Sequence, residues 1–125
     1  MDFQQIAETF IKDYYGAFDG NRALLKDVYR DHSMLTFERQ PVGGVAAIME
    51  KLVNLPFQQV IHRVDTLDAQ PSAEDGIMIM VTGALQVEGQ EKPMSFSQTF
   101  QIKYEPGSKK WYVLNDVFVL VYPAA

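Results

Sequence analysis

The feature that most constrains the fold of this sequence is a series of alternating stretches in its second half, separated by very short turns. The alternating stretches are FQQVIHRVDTLDAQ, IMIMVTGALQV, PMSFSQTFQIKYE and WYVLNDVFVLVY, and the segments between them are PSAEDG, EGQEK and PGSKK. Alternation of apolar and polar residues is typical of a strand with one buried face. Because connections this short join neighbouring strands in antiparallel order, the second half predicts an antiparallel meander.

The first half has the spacing of helices. A stripe of apolar residues recurs at intervals of three and four, as on one face of an α-helix, and consists of Phe3, Ile6, Phe10, Ile11, Tyr14 and Phe18. The turn sequence FDGN ends this helix, and RALLKDVY predicts a short second helix with Leu24, Leu25 and Val28 facing inward. VAAIMEKLVNL predicts a third helix, which stops before Pro56.

The order of these elements predicts the fold class. Between the second and third helices, SMLTFE predicts a strand, and the PVGG that follows is expected to end it. Helices that precede a run of strands favour an α+β fold. We expect three N-terminal helices packed on a strongly curved antiparallel sheet, forming a cone with an apolar cavity. A chain of 125 residues has the length of one domain, so we expect a single domain over residues 1–125.

Composition argues against several classes of protein. The chain has no cysteine, so a disulfide scaffold and thiolate chemistry are excluded. Its formal net charge of −5 argues against nucleic acid as the main partner and favours a basic one. No apolar run approaches the ~20 residues of a membrane span, and the N-terminus lacks the pattern of a secretory signal. We therefore expect a soluble intracellular protein that binds neither membranes nor nucleic acid.

Two of the expected strands are apolar on both faces. The first has Ile77, Ile79, Val81, Leu85 and Val87 on one side, and Met78, Met80 and Ala84 on the other. The last strand has Val113, Val117, Val119 and Val121 on one side, and Leu114, Phe118, Leu120 and Tyr122 on the other. An antiparallel sheet normally exposes one face to water, and three helices can cover only one face of this meander. The second apolar face predicts a homodimer, unless strong curvature lets the sheet cover itself.

Few residues could support catalysis. No His, Cys or acidic residues have the spacing of a metal site, and no nucleotide-binding loop or Ser/His/Asp motif is present, so we expect no metal and no cofactor. His32 is expected in a solvated turn, and His62, which alternates with valines along a strand, is more typical of a structural histidine. An enzyme would use Asp116 or Glu38 as a general base in an apolar cone, or pair His62 with Asp116.

The stretch from residue 33 to residue 57 places one acid between two apolar groups. The residues expected to be buried on either side of it are Met34, Leu35, Phe37, Leu52, Leu55 and Phe57. Glu38, at the end of the strand, is therefore predicted to lie at the rim of an apolar pocket, which is the usual form of a ligand site. Glu88 and Glu91, in the turn VEGQEKP, are on spacing alone more typical of solvated acids.

Five stretches of the sequence carry a family resemblance. They are FIKDYYGAFDGNRALLKDVYRDHSMLTFE, AAIMEKLVNLPFQQVIHRVDTLDAQPS, VTGALQVEGQEKP, FSQTFQI and LNDVFVL, and the similarity runs from about Phe3 to Tyr122. The motifs YY-x-x-FD-x-x-R, EKL-x-x-LPFQ and F-x-Q-x-F are the most specific. On these residues the chain resembles the nuclear transport factor 2 family, small dimeric carriers that bring the GDP-bound form of the GTPase Ran into the nucleus.

The resemblance implies a site for Ran at the mouth of the cone. In this family an aromatic side chain of Ran enters the apolar cavity, and acids around the mouth pair with basic residues of Ran. Glu38 matches the rim acid, and Glu88 and Glu91 match the acidic loop across the mouth. The positions that match the cavity lining are Phe37, Leu55, Phe57, Val60, Leu85, Met94 and Phe118. An apolar pocket supplies a desolvated anchor, and rim charges supply steering and register.

The resemblance also implies a second surface. The family binds phenylalanine-glycine repeats of nucleoporins with an aromatic residue of the first helix and apolar residues of the neighbouring subunit. Phe3 matches that aromatic residue, and Pro71 and Met80 are its expected counterparts. Alternatively, Phe3 only fastens the start of the first helix. The implied location is the cytoplasm and nucleus, with a concentration at the nuclear pore and envelope.

The sequence departs from the family in two places, and two other functions stay open. Val119 stands where the family pattern N-D-x-F-R-L has arginine, and Gly89 and Gln90 stand in the loop where acids are common; both changes could weaken Ran binding. The first alternative is a related cone-fold subunit that pairs with an mRNA export receptor. The second is an enzyme of the ketosteroid isomerase or dehydratase type.

Overall fold

The computed structural model describes residues 2–122 of the chain. The helical elements are α1 (Phe3–Gly20), a 3₁₀ helix (Arg22–Val28), α2 (Val45–Val53) and a short 3₁₀ turn (Ala73–Asp75). The strands are β1 (Tyr29–Phe37), β2 (Gln40–Gly43), β3 (Val60–Ser72), β4 (Gly76–Val87), β5 (Met94–Glu105) and β6 (Lys110–Val121). The prediction of an α+β fold, with three helices packed on a curved sheet, is confirmed.

The strands form one sheet in the order β2-β1-β6-β5-β4-β3. Strands β3 to β6 pair antiparallel in sequence order, which confirms the predicted meander. The prediction of an antiparallel sheet is wrong at one place, because β1 runs parallel to β6, with Leu35 opposite Asp116. Most of the chain separates these two strands, so no tight turn imposes an antiparallel direction on them.

Helix α1 lies across the inner face of the sheet. Asp2 caps its start by accepting hydrogen bonds from the backbone N–H groups of Gln4 and Gln5, each at 3.1 Å. Its buried residues are Ala7, Ile11, Tyr14, Tyr15 and Phe18. The predicted stripe therefore faces the core from Ile11 onward, whereas Phe3, at the first turn, keeps 37% of its surface exposed.

The second helix differs from the prediction. It is a 3₁₀ helix, in which side chains three positions apart lie on the same side. Arg22 and Leu25 are therefore buried and Val28 partly so, while Leu24 is 56% exposed. The inward orientation predicted for Leu24 is wrong, because it assumed the period of an α-helix.

The segment PVGG does not end the strand pattern. After β1 the chain turns through Glu38 and Arg39, which have φ angles of 49° and 68°, and returns as β2. Two consecutive positive φ angles are the geometry of a tight two-residue hairpin turn with the twist that strands prefer. Met34, expected to be buried, is 43% exposed on this hairpin.

The outer face of the sheet is apolar, as the sequence predicted. Met78, Met80, Val117 and Val121 are each more than 40% exposed there. A break in the register between β5 and β6 makes Leu114 an extra residue, so that Val113 is fully buried on the inner face. The prediction that Val113 shares a face with Val117 is wrong for this reason.

Candidate partner-binding site

A small apolar cavity lies between α1, α2 and the inner face of the sheet, with a volume of about 10 Å³. Four of the seven residues predicted to line a cavity do so, namely Phe37, Phe57, Leu85 and Phe118. The other three belong to the core around it: Leu55 and Val60 are buried, and Met94 packs partly buried against them. The structure thus places four of the seven residues around one cavity and the other three in the core beside it; their role in binding stays a prediction.

The cavity is small because the protein's own aromatic rings fill it. Phe37 stacks on Phe118 with ring centroids 4.6 Å apart and planes 5° apart, and Phe118 stacks on Phe96 at 5.7 Å. Phe37 and Phe57 are the half-buried phenylalanines of the lining, so they form its outer wall. A benzene ring needs a cavity of roughly 150 Å³, so an incoming aromatic side chain would have to displace part of this wall.

A buried hydrogen-bond network forms the inner end of the cavity. The Asp116 side chain is buried; its Oδ2 accepts from the Tyr29 hydroxyl at 2.7 Å and from the Tyr14 hydroxyl at 3.3 Å. Its Oδ1 accepts from the Gln98 amide at 2.8 Å, and Gln98 in turn accepts from the Tyr15 hydroxyl at 2.7 Å. The sequence singled out Asp116 itself. Its hydrogen-bonding partners were indicated only by the tyrosine pair YY and by Gln98, a polar residue within an alternating strand.

Burial raises the pKa of Asp116 to about 6, although the hydrogen bonds from Gln98, Tyr29 and Tyr14 oppose the rise. The folded protein therefore binds this proton more tightly than the unfolded chain does. Its contribution to stability is present at low pH and is lost as the pH rises through about 6.

We expect Asp116→Asn to remove a pH dependence of stability. Between about pH 4 and pH 7 the wild-type protein loses on the order of 2–3 kcal/mol of unfolding free energy from this group, and the variant does not. Urea unfolding of both proteins at the two pH values measures the difference, with the exposed Asp68→Asn as the matched control. Equal pH dependence in Asp116→Asn and wild type would contradict the assignment.

The two histidines have internal partners. His62 lies in β3 with its Nδ1 2.6 Å from the Asp19 carboxylate, its backbone N–H bonded to the same carboxylate, and its ring stacked 4.3 Å from that of Tyr15. This agrees with the structural role preferred for it. The turn predicted for His32 is wrong: it is exposed within β1, and its Nε2 lies 3.0 Å from the Tyr112 hydroxyl.

The arrangement gives no support to an acid and base pair. His62 and Asp116 do line the same cavity, as an enzyme of the isomerase type would require. However, both carboxylate oxygens of Asp116 and the Nδ1 of His62 already bond to protein groups. In this closed conformation the space of about 10 Å³ holds no substrate beside them.

Glu38 lies at the outer end of the aromatic wall, directly after Phe37. Its backbone N–H donates to the Phe118 carbonyl at 3.0 Å, and its carboxylate accepts from the Leu120 backbone N–H. The same carboxylate pairs with Arg39 at 3.1 Å, and 21% of the Glu38 side chain remains exposed. The hairpin turn and the bond to Leu120 thus fix an acid beside the cavity wall.

Glu88 borders the same wall from another element. It lines an open surface groove of about 400 Å³ together with Phe57 and Gln90, and its backbone N–H donates to the Gln59 carbonyl at 3.0 Å. Glu91 is exposed in the same turn but does not line the groove. Phe57 therefore separates the closed cavity from a groove with an acidic residue.

Arg22 is a residue whose role the sequence did not reveal. Its guanidinium donates to the Leu52 carbonyl at 3.0 Å and to the Gln58 carbonyl at 2.9 Å, and it lies 4.6 Å from the centre of the Phe18 ring. It thereby ties the 3₁₀ helix to the segment that carries Phe57. The motif YY-x-x-FD-x-x-R contained this arginine, but its partners are backbone atoms, which leave no pattern in a sequence.

The residues predicted for the nucleoporin-repeat surface are exposed but do not share one face of the sheet. Phe3 lies on the helix side of the sheet, whereas Met80 lies on the outer face, opposite Asp68 of β3. Pro71 is exposed in β3 near the end of that strand. One chain alone does not bring the three together.

Two absences concern residues 2–122. No group of three or more His, Cys, Asp or Glu side chains in this range is arranged to hold a metal ion. Within the same residues, no helix has both the length and the apolar character to cross a bilayer.

Comparison with known proteins identifies the family. The family model described as the nuclear transport factor 2 (NTF2) domain matches residues 6–120, nearly the whole chain. The chain belongs to the nuclear transport factor 2 family. It is 57% identical to nuclear transport factor 2 of Emericella nidulans over 98% of each chain.

Two more distant members of the nuclear transport factor 2 family agree with this assignment. The Saccharomyces cerevisiae protein of that name is 45% identical over 99% of this chain and 98% of its own. The solved structure of nuclear transport factor 2 from Cryptosporidium parvum superposes with a TM-score of 0.89 at 35% identity, covering 95% of this chain and 94% of that one. The resemblance seen in the sequence is confirmed at the level of the family.

Proposed function

We propose that this protein is a nuclear import carrier that binds the GDP-bound form of Ran and the phenylalanine-glycine repeats of nucleoporins. The observation that carries the proposal is the pairing of Glu38 with an aromatic-walled cavity in a chain that matches nuclear transport factor 2 proteins from end to end. Such a carrier moves between cytoplasm and nucleus and concentrates at the nuclear pore and envelope. Its net charge of −5 suits a basic partner surface.

The Ran site would combine a buried anchor with charged neighbours. An aromatic side chain of Ran would enter beside Phe37 and Phe57, and the carboxylates of Glu38, Glu88 and Glu91 would pair with basic residues around it. A desolvated aromatic anchor supplies most of the affinity of such an interface, while rim charges accelerate association and fix the orientation.

The closed cavity implies that binding includes an opening step. Phe37 belongs to β1 and is held by its stack on Phe118, so moving it would disturb the sheet. Phe57 lies between α2 and β3, outside regular secondary structure, and moving it breaks no strand pairing. We therefore infer that Phe57 is the part of the wall that yields to the incoming ring.

The test of the proposal is a binding experiment with Ran in both nucleotide states. The immobilised protein should retain GDP-loaded Ran and leave GTP-loaded Ran in solution. Retention of neither form would favour the related subunit that pairs with an mRNA export receptor. Equal retention of both forms would contradict a carrier that takes one nucleotide state into the nucleus.

A homodimer is the simplest cover for the outer face of the sheet. We expect sedimentation at tens of micromolar to give the mass of a dimer, because Met78, Met80, Val117 and Val121 otherwise remain in water. Val117→Glu puts a charge on the central strand of that face and should produce a folded monomer. Leu24→Glu, at an exposed position on the helix side, is the control that should remain dimeric. A monomeric wild-type protein would contradict both the predicted dimer and a repeat-binding site built from two subunits.

Phe3→Ala should separate the two binding surfaces. Phe3 is exposed in the first turn of α1, so we expect its loss to weaken binding of a phenylalanine-glycine repeat peptide by roughly 1–3 kcal/mol and to leave Ran binding nearly unchanged. Titration of one variant against both ligands measures this, with Leu24→Ala as a control for an exposed apolar residue elsewhere. A proportional loss of both ligands would contradict separate sites.

The departures in the acidic loop have a partial structural reason. Gly89 has a φ angle of +85°, a conformation that glycine adopts freely and in which any side chain is strained. The neighbouring Gln90 carbonyl accepts from the Gln86 side chain at 2.6 Å, which helps hold this tight turn. Nothing in the structure explains Val119, which is half-buried in β6.

A further inference from the structure

A groove on the helix side of the molecule has no part in the proposed carrier function. It lies between α1, the 3₁₀ helix Arg22–Val28 and the start of β6, and its volume is about 640 Å³. Tyr14 is the one member of its described lining that also lines the closed cavity, and no residue named for binding Ran or nucleoporin repeats belongs to it. It is also far larger than the closed cavity, and it is open to solvent.

The floor of this groove is aromatic. Phe10 is half-buried there, with its ring 6.4 Å from that of Tyr14 and 6.5 Å from that of Phe100. Trp111 forms another part of the lining and is itself held edge-on by Tyr104, with centroids 5.5 Å apart. A concave apolar site of this size suits one or two side chains, and aromatic walls favour an aromatic ring in an edge-to-face or offset arrangement.

The rim of the groove is acidic. Asp2, Asp13 and Asp27 line it, against the single cation Lys110. Among residues 2–122, none of these three carboxylates takes part in a salt bridge. Asp13 and Asp27 lie on different elements, α1 and the 3₁₀ helix, so they face the aromatic floor from two sides. A concave site with unpaired charges of one sign attracts ligands of the opposite charge.

We propose that this groove docks a short peptide segment of a partner protein in which an aromatic side chain is flanked by lysine or arginine. The ring occupies the aromatic floor between Phe10 and Trp111, and the flanking cations pair with Asp13 and Asp27. An acidic peptide is repelled by the same rim, and a phenylalanine-glycine repeat without cations lacks half of the interaction.

Trp111 provides a direct reporter, because it is the one tryptophan of the chain and it lines the groove. The probe is an acetylated and amidated hexapeptide with the sequence Gly-Lys-Phe-Lys-Gly-Lys, titrated against the full chain while the tryptophan emission is recorded. We expect a saturable change that weakens as salt is added, since rim pairs are screened. Peptides with alanine in place of the phenylalanine, or glutamate in place of the lysines, should bind at least about tenfold more weakly.

Variants of the protein test the same two contributions to binding, the acidic rim and the aromatic floor. Asp13→Lys combined with Asp27→Lys should weaken binding of the probe about tenfold or more. Glu50→Lys combined with Asp75→Lys makes the same change of net charge at exposed positions elsewhere and should not. Thr9→Phe fills the groove from an exposed position of α1 and should block binding. Glu8→Phe, the adjacent helix position outside the groove, is its control.

Three results would overturn the proposal. One is the absence of a saturable emission change with the hexapeptide at millimolar concentration. Another is an equal loss of affinity for the hexapeptide in the two charge-reversed double variants, which would mean that the peptide responds only to the net charge of the protein. The third is equal affinity for a phenylalanine-glycine repeat peptide without lysine, which would make the groove an additional repeat site. Circular dichroism of each variant establishes that a lost signal does not come from unfolding.

Discussion

Glu38→Lys is expected to abolish binding of GDP-bound Ran while the protein stays folded. The carboxylate lies beside Phe37 at the cavity wall and is only 21% exposed, so a partner cation would meet it in a largely desolvated position. Losing one member of such a pair costs about 2–5 kcal/mol, and the introduced lysine adds repulsion. Titration calorimetry or fluorescence anisotropy with GDP-loaded Ran measures the loss.

A matched variant, Glu38→Gln, separates the effect of the negative charge on Ran binding from the effect of the hydrogen bond on stability. The Glu38 carboxylate also accepts a hydrogen bond from the Leu120 backbone N–H, which lysine cannot replace and glutamine can. Glu38→Gln should therefore keep wild-type stability and lose an intermediate part of the affinity. An unchanged dissociation constant in Glu38→Lys, with a normal circular dichroism spectrum, would remove Glu38 from the Ran site.

Arg22→Leu is expected to cause the largest loss of stability among the substitutions considered. The variant keeps an apolar contact with Phe18 but removes the guanidinium donor from both carbonyls; the Leu52 carbonyl still accepts from the Leu55 backbone N–H at 3.4 Å, whereas the Gln58 carbonyl loses its donor. An acceptor that loses its partner away from water costs about 1–3 kcal/mol, and only one carbonyl is left in that state, so we expect a loss of about 1–3 kcal/mol in urea unfolding. The segment that carries Phe57 would then keep only its backbone bonds, from Leu55 to Leu52 at one end and from Glu88 to Gln59 at the other.

Hydrogen exchange tests whether the loss of stability is concentrated in the segment that carries Phe57. The Glu88 amide, which donates to the Gln59 carbonyl, should exchange faster in Arg22→Leu than in the wild type, because the segment opens more often. Arg22→Lys can reach one carbonyl and should fall between the two proteins. An unfolding free energy within about 1 kcal/mol of wild type would mean that solvent replaces both bonds without cost.

The fold could be predicted from the sequence because its signals are local. The strand alternation from Val60 to Val121 and the short turns determine the meander, and the stripe that includes Ile11, Tyr14 and Phe18 identifies α1. The errors arose where a local pattern fits two geometries. Leu24 faces solvent because a 3₁₀ helix has a shorter period, and Val113 turns inward because an extra residue shifts the alternation of β6.

The site could be predicted only in part, because its decisive features are contacts between distant residues. The sequence and its family resemblance indicated Glu38, Phe37 and Phe118, and the structure brings these three together. The size of the cavity depends on how Phe37 and Phe118 stack, which no spacing encodes. Arg22 was missed because its partners lie 30 and 36 residues away and are carbonyl groups common to every residue type.

The parallel pairing of β1 with β6 has a consequence for how the protein acquires its activity during synthesis. The backbone group that orients the Glu38 carboxylate belongs to Leu120, 82 residues further along the chain, and β1 has no sheet neighbour other than β2 until β6 exists. Contacts of such long sequence separation form late and slowly. A nascent chain can therefore complete its helices and most of its meander while the surface proposed for Ran is still unformed. Recognition of cargo would begin only when the last strand leaves the ribosome, so an interrupted or degraded chain would not compete for the partner.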